Sequence, residues 1–281
     1  MGRAAKCANL VALMILRRAG VVIAAMLVLG AAPQNPLVRA RQLYNERQYE
    51  AAIEAAREAK RRPELADAAA VVLGRAHLER YRGGSNASDL SAARESLVAV
   101  DSGRLSARDR GELVVGLGEL LYFEGHYGAA AEIFGAALGG AGVADPAARE
   151  SLLDWWALAI DHDAQRSADA DRRRLYARLL ERAEPAAAGE APSATAMYWV
   201  AAAAAGMGDF GRAWHAAIAA WVRAPLASGT RASLRADLER LVQQVVVPGR
   251  AAALAPAAEP SRTIAAMQAE WNAIKELGLR R

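Results

Sequence analysis

Cysteine is almost missing from this chain: of 281 residues only Cys7 carries a thiol. That excludes an intramolecular disulfide framework and any zinc site built on cysteine. Cys7 also precedes the apolar core of the N-terminal segment, whereas a lipid-bearing cysteine stands just behind such a core, so no anchor is expected there. Histidine is scarce as well. His77, His126, His162 and His215 include no pair spaced as ligands on one helical turn, and no HExxH occurs. Gly116-Leu117-Gly118 lacks the third glycine and the preceding strand of a dinucleotide loop, and neither G-x-S-x-G nor a phosphate-loop lysine is present. No metal, no cofactor and no enzyme activity are expected. Acidic residues are absent before Glu46, while Arg3, Lys6, Arg17 and Arg18 fall in that stretch. Those four account for the whole formal charge of +4, so the remaining body is neutral and the basic pI is no argument for nucleic acid.

Residues 1–36 read as a targeting segment. Arg17-Arg18 leads into AGVVIAAMLVLGAA, a run of signal-core length that is short for a comfortable membrane span. Gly30, Ala31 and Ala32 supply small residues for cleavage, although Pro33 follows directly. The earlier apolar piece, residues 10–16, leaves two explanations open: translation from Met14, or an uncleaved anchor interrupted by the arginines. The pair Arg17-Arg18 has the look of a twin-arginine signal, a weak cue because positive charge precedes most signal cores. Export across an inner membrane is the expectation, to the periplasm or to an anchored position on that membrane.

What the chain does have is a recurring helical face. Tyr49, Ala52, Ala56 and Ala59 align without gaps with Tyr127, Ala130, Phe134 and Ala137, and again with Phe210, Ala213, Ala217 and Ala220. Leu90, Ala93, Leu97 and Val100 follow the same rule less closely. This spacing puts each set on one side of a helix. Ahead of these segments stand small residues at the position of close helix approach, Ala40, Gly74 and Gly118. Ala40 and Gly74 are 34 residues apart, and the step to Gly118 is about ten residues longer. The turn-rich residues 82–87 are expected to loop out and absorb the excess.

Helix boundaries are marked repeatedly. Ser106 with Asp109 forms a capping-box-like start, and Asp145-Pro146 places a cap before a proline at the first helical position. A helix through Trp155 and Trp156 is expected to break at Asp161-His162-Asp163, with a second helix over residues 172–184 and a linker over 185–192. Helices over 193–206 and 209–223 follow. Residues 232–246 form an amphipathic helix ended by Pro248-Gly249, and residues 261–277 a last helix capped by Gly278. Trp199, Trp214 and Trp221 recur at helical spacing among alanines and are expected to fill space between layers. Trp155 and Trp156, adjacent on a helix, point about 100° apart and cannot share a face.

The stretch VVGLGELLYFEGHYGAAAEIFGAAL, with Leu117-Gly118 before the turn and Tyr127, Ala130, Phe134 and Ala137 after it, resembles a tetratricopeptide repeat. The resemblance extends over most of residues 37–225. It implies an all-α solenoid of stacked helix pairs in a right-handed superhelix, closed by C-terminal capping helices over 226–281. It also implies a concave groove lined by the first helix of each pair, holding a protein or peptide segment. Carried onto this chain, the groove residues are Arg41, Tyr44, Arg75, Glu119, Tyr122 and Tyr198. The expected function is that of a non-enzymatic scaffold, an adaptor or assembly factor of the bacterial envelope. Contact with membrane is expected only through the N-terminal segment, and none with nucleic acid. A permanent subunit of a larger envelope complex is the alternative. An enzyme using Asp161, His162 and Asp163, the one local acid–imidazole grouping, ranks below both.

Overall fold

The computed structural model describes residues 35–140, 145–189, 193–226, 231–254 and 260–279. The targeting segment up to residue 34, with its cleavage and anchor readings, lies outside the described residues. Among these residues the fold is all-helical, without a strand.

Helices follow one another through short turns. They are α1 (Pro36–Asn45), α2 (Tyr49–Lys60), α3 (Ala66–Gly84), α4 (Ala87–Val98), α5 (Ala107–Phe123) and α6 (Tyr127–Gly139). Then come α7 (Pro146–Arg166), α8 (Asp169–Ala188), α9 (Ala194–Gly206), α10 (Phe210–Arg223), α11 (Arg231–Leu241), α12 (Val247–Leu254) and α13 (Pro260–Leu279). The starts obey the local signals. Asn35 accepts from the Leu37 N–H at 3.0 Å ahead of Pro36, Ser106 from Asp109 at 3.1 Å, Asp145 from Ala148 at 3.0 Å and Asp209 from Arg212 at 3.0 Å. Within α5–α6 and α9–α10 the turn passes through Gly125 and Gly208 at φ 81° and 83°, and Arg47 takes the same left-handed place at φ 61° in α1–α2.

From α1 to α10 each helix packs on its successor, and α12 on α13, so the described residues form a row of adjacent helix pairs. Each first helix of a pair also touches the first helix of the next: α1 with α3, α3 with α5, α5 with α7, α7 with α9. The second helices show no comparable mutual contact among the described residues. The small-against-large rule holds at atomic scale. A Cβ on Gly118 would fall within van der Waals overlap of the Phe134 ring, so only glycine lets α5 lie this close to α6. Ala52, Ala130 and Ala213 are fully buried. The core runs as a strip of successive clusters, from Ala40, Ile53 and Leu73 through Phe134, Trp156 and Leu179 to Trp214, Leu238 and Trp271.

Several expected boundaries move. The excess before Gly118 does not loop out at residues 82–87: α3 continues to Gly84, and only Ser85, left-handed at φ 53°, and the cap Asn86 make the turn. Gly83 and Gly84 face open space, so nothing there opposes an extended helix. Helix α7 does not break at Asp161-His162-Asp163 but runs to Arg166, and the Asp161 side chain finds its partner across helices, on Tyr176, instead of capping an end. Helix α8 passes Pro185 and ends at Ala188; so near the end the missing N–H forfeits one bond. Pro248-Gly249 does not stop a helix either. A π-turn over Val242–Val246, with the Val247 N–H donating to Val242, resets the ladder so that α12 continues through both residues. Gly249 lies directly under the Phe210 ring, which leaves no room for a Cβ. The last helix likewise includes Gly278 and runs to Leu279. It lays Met267 and Trp271 on Trp214 and Trp221, and Trp271 donates to Glu239 at 3.0 Å.

Candidate functional site

The row of first helices carries the polar residues singled out above, at three separate places. The first is a cleft of about 60 Å³ framed by α1, α3 and α5 and lined by Arg41, Tyr44, Asn45, Val71, Val72, Arg75, Arg108, Asp109 and Glu112. Arg41 reaches over α3 to Asp109 of α5, 2.5 Å away, and Asp109 also accepts from the Ser106 hydroxyl at 2.7 Å. Arg75 pairs with Glu112, stands 3.9 Å from Glu119, and lies over the Tyr44 ring at 5.1 Å from its centroid. Glu119 is 3 % exposed and its Oε2 has no hydrogen-bond partner among the described residues.

Burial dominates the electrostatics here. It raises the Glu119 carboxyl above its ordinary value, and Arg75 opposes it. Burial alone would lower Arg75, but Glu119 and Tyr44 hold its guanidinium above the usual value. The Tyr44 phenol is pushed well above its normal range, again by burial. Tyr44, Arg75 and Glu119 are therefore one connected group, and Arg41 lines the same cleft. Arg108 and Glu112 were missed in the sequence, and Asp109 was read there only as a helix-start residue; all three come from the first turns of α5.

Tyr122 belongs elsewhere. It stands edge-on to Phe123, Trp155 and His162, with centroids 5.5, 5.3 and 5.5 Å away, and 5.1 Å from Tyr127. Arg166 covers the other side of this ladder, 4.5 Å from the Tyr127 centroid. Burial raises the Tyr122 phenol to about 12. Trp156 turns away into the core at 1 % exposure, so the adjacent tryptophans divide between core and ladder.

Tyr198 lines a third place, a cleft of about 350 Å³ with Asp161, Gln165, Tyr176, Asp237, Arg240 and Gln244 among its walls. Asp161 accepts from the Tyr176 hydroxyl at 2.8 Å and from Gln165 at 2.6 Å. Burial raises the Asp161 carboxyl, opposed first by the Tyr176 hydrogen bond. His162 instead tilts against Tyr127 at 4.8 Å. Asp161 and His162 thus serve different neighbours and form no hydrogen-bonded acid–imidazole pair among the described residues. Asp237 and Arg240 entered the sequence reading only as the polar side of an amphipathic helix; no local motif marks them.

Among the described residues no group of histidine, cysteine or carboxylate side chains is arranged to hold a metal, and no helix is long and apolar enough to cross a membrane. No family model, no curated protein and no solved structure matches this chain.

Proposed function

We propose that the chain is a tetratricopeptide-like scaffold that holds a segment of another protein along the row formed by α1, α3, α5, α7 and α9. The observation that supports this is the set of contacts among those first helices, to which nothing comparable exists between the second helices among the described residues. Helices that crowd on one side and separate on the other lie on the inside of a curve. The Arg41–Asp109 bridge supports the same geometry. Helix axes in contact are about 8–10 Å apart, so α1 and α5 on a flat row would stand nearly twice that distance apart. A 2.5 Å ion pair between them is natural on a hollow face.

The hollow presents charges of both signs and aromatic rings, a surface suited to a polypeptide with alternating polar and apolar side chains. Its occupant is a protein or peptide segment, and its chemistry is binding without catalysis. The composition of the leader supports a place outside the inner membrane, as a periplasmic or anchored adaptor or assembly factor of a bacterial envelope.

The test is a photoreactive side chain placed in turn at Arg108, at Tyr122 and at the exposed Glu58 of α2, in cells that make the full chain. Crosslinks to one protein from Arg108 and Tyr122, absent from Glu58, are expected. Crosslinks from Glu58 alone would overturn the assignment of the binding face. Washing the captured complex with high salt separates the two modes of use: an adaptor releases its partner, and a permanent subunit keeps it in fixed stoichiometry.

A further inference from the structure

Helix α3 has a second polar side. Arg75 and His77 are two residues apart, about 200° around the helix, so they face opposite ways. Where Arg75 serves the first-helix row, His77 lines a separate cleft of about 400 Å³ framed by α2, α3 and α4. Its walls are Arg57, Lys60, Arg61, Leu73, His77, Ala92, Glu95 and Ser96, three cations against one carboxylate.

His77 is 5 % exposed, yet it is not simply packed away. Its Nδ1 lies 2.7 Å from Asp89, itself 4 % exposed, and Arg80 approaches the other Asp89 oxygen at 3.4 Å. A carboxylate only accepts, so Nδ1 carries a proton, and Nε2 is the ring nitrogen that can accept when the ring holds one proton only. Nε2 has no hydrogen bond among the described residues. His77 lines the cleft, and Nε2 is the ring nitrogen that Asp89 does not hold. At the rim, Arg57 pairs with Glu54 at 2.5 Å, whereas the side chains of Lys60 and Arg61 have no ion pair among the described residues.

We propose that this cleft binds a phosphate group that keeps a protonated oxygen, as inorganic phosphate and phosphate monoesters do. Lys60, Arg61 and Arg57 meet its charge, and the P–OH donates to His77 Nε2. The hydroxyl is what distinguishes the ligand. Near neutral pH a carboxylate, a sulfate and a phosphodiester all lack that proton and have nothing to give an acceptor nitrogen. A phosphate monoester retains it in part, because its second ionisation falls at about pH 6. Asp89 acts here as a positioning residue that fixes the tautomer from behind. The inference stands apart from the scaffold reading, since it uses other helices and another face.

The experiment follows the His77 ring nitrogens by NMR in the full chain while inorganic phosphate, sulfate or acetate is added at constant ionic strength. A saturable shift with phosphate at about tenfold higher affinity than with sulfate or acetate is expected. The double variant Lys60→Ser/Arg61→Ser, at exposed positions that leave the core intact, should weaken phosphate binding by about tenfold. His77→Gln should abolish the preference for phosphate over sulfate, read by calorimetry. Vesicles bearing a phosphomonoester headgroup, compared with phosphodiester vesicles, separate the sources: selective binding to the former points to a lipid, and phosphate binding without vesicle binding to a free phosphate compound. Unmoved His77 nitrogens, or equal shifts with all three anions, would overturn the proposal.

Discussion

The two clefts along the first-helix row use the same residue types and handle charge in opposite ways. In the first, charges meet across helices: Arg41 of α1 with Asp109 of α5, Arg75 of α3 with Glu112 and Glu119 of α5. In the second, Asp161 is satisfied by the neutral donors Tyr176 and Gln165, and Asp237 finds Arg240 on its own helix. Cross-helix pairs hold neighbouring repeats in register, whereas a carboxylate held by neutral donors leaves its charge available to a visitor. The first cleft is thus a fastening as well as a surface, and the second is mainly a surface.

Breaking each cleft should show the difference. Arg75→Ala strands the buried Glu119 and is expected to cost about 3–5 kcal/mol of stability, measured by chemical denaturation. Arg240→Ala, which removes an exposed pair within one helix, should cost no more than about 1 kcal/mol. Equal losses would dissolve the distinction. In the second cleft, Tyr176→Phe keeps the ring under Gly206 but deletes the hydrogen bond to Asp161, and a loss of about 1.5–3 kcal/mol is expected.

A pH comparison sharpens the first cleft. The Glu119 carboxyl is raised in the folded state, so its stabilising contribution is full below the ordinary carboxylate range and is lost as pH rises through the raised value. Denaturation midpoints of Glu119→Gln should therefore fall less than those of the parent protein between acid and neutral pH. A comparably small effect, of opposite sign, belongs to the turn between α1 and α2. Arg47 occupies the left-handed place that Gly125 and Gly208 take elsewhere, so Arg47→Gly should raise stability by about 1 kcal/mol in thermal melts.

Much of the helix framework was legible because its signals are local. Ser106 with Asp109, Asp145-Pro146 and Gly208-Asp209 each start a helix where the sequence places it. Boundaries failed where tertiary contacts override local chemistry. Asp161-His162-Asp163 looks like a helix end until Tyr176, fifteen residues on, supplies a partner. Pro248-Gly249 looks like a stop until the π-turn and the Phe210 ring absorb it. The same limit shaped the site. Arg41, Tyr44 and Arg75 were chosen because the resemblance puts them on first helices, and the structure places all three along one cleft, with Arg75 over the Tyr44 ring. Tyr122 and Tyr198, chosen by the same rule, turned to other neighbours. Arg108 and Glu112 escaped because nothing in the chain order reveals that α5 closes over α3 toward α1. Asp89 escaped in the same way, since its link to His77 spans a helix turn.

The first helices form the face proposed to hold a partner. Hydrogen–deuterium exchange on the full chain, alone and with its crosslinked partner, tests this most directly. Added protection is expected along α1, α3 and α5, strongest around Tyr44, Arg75 and Arg108, with α2, α4 and α6 unchanged. Protection confined to α2, α4 and α6 would contradict it.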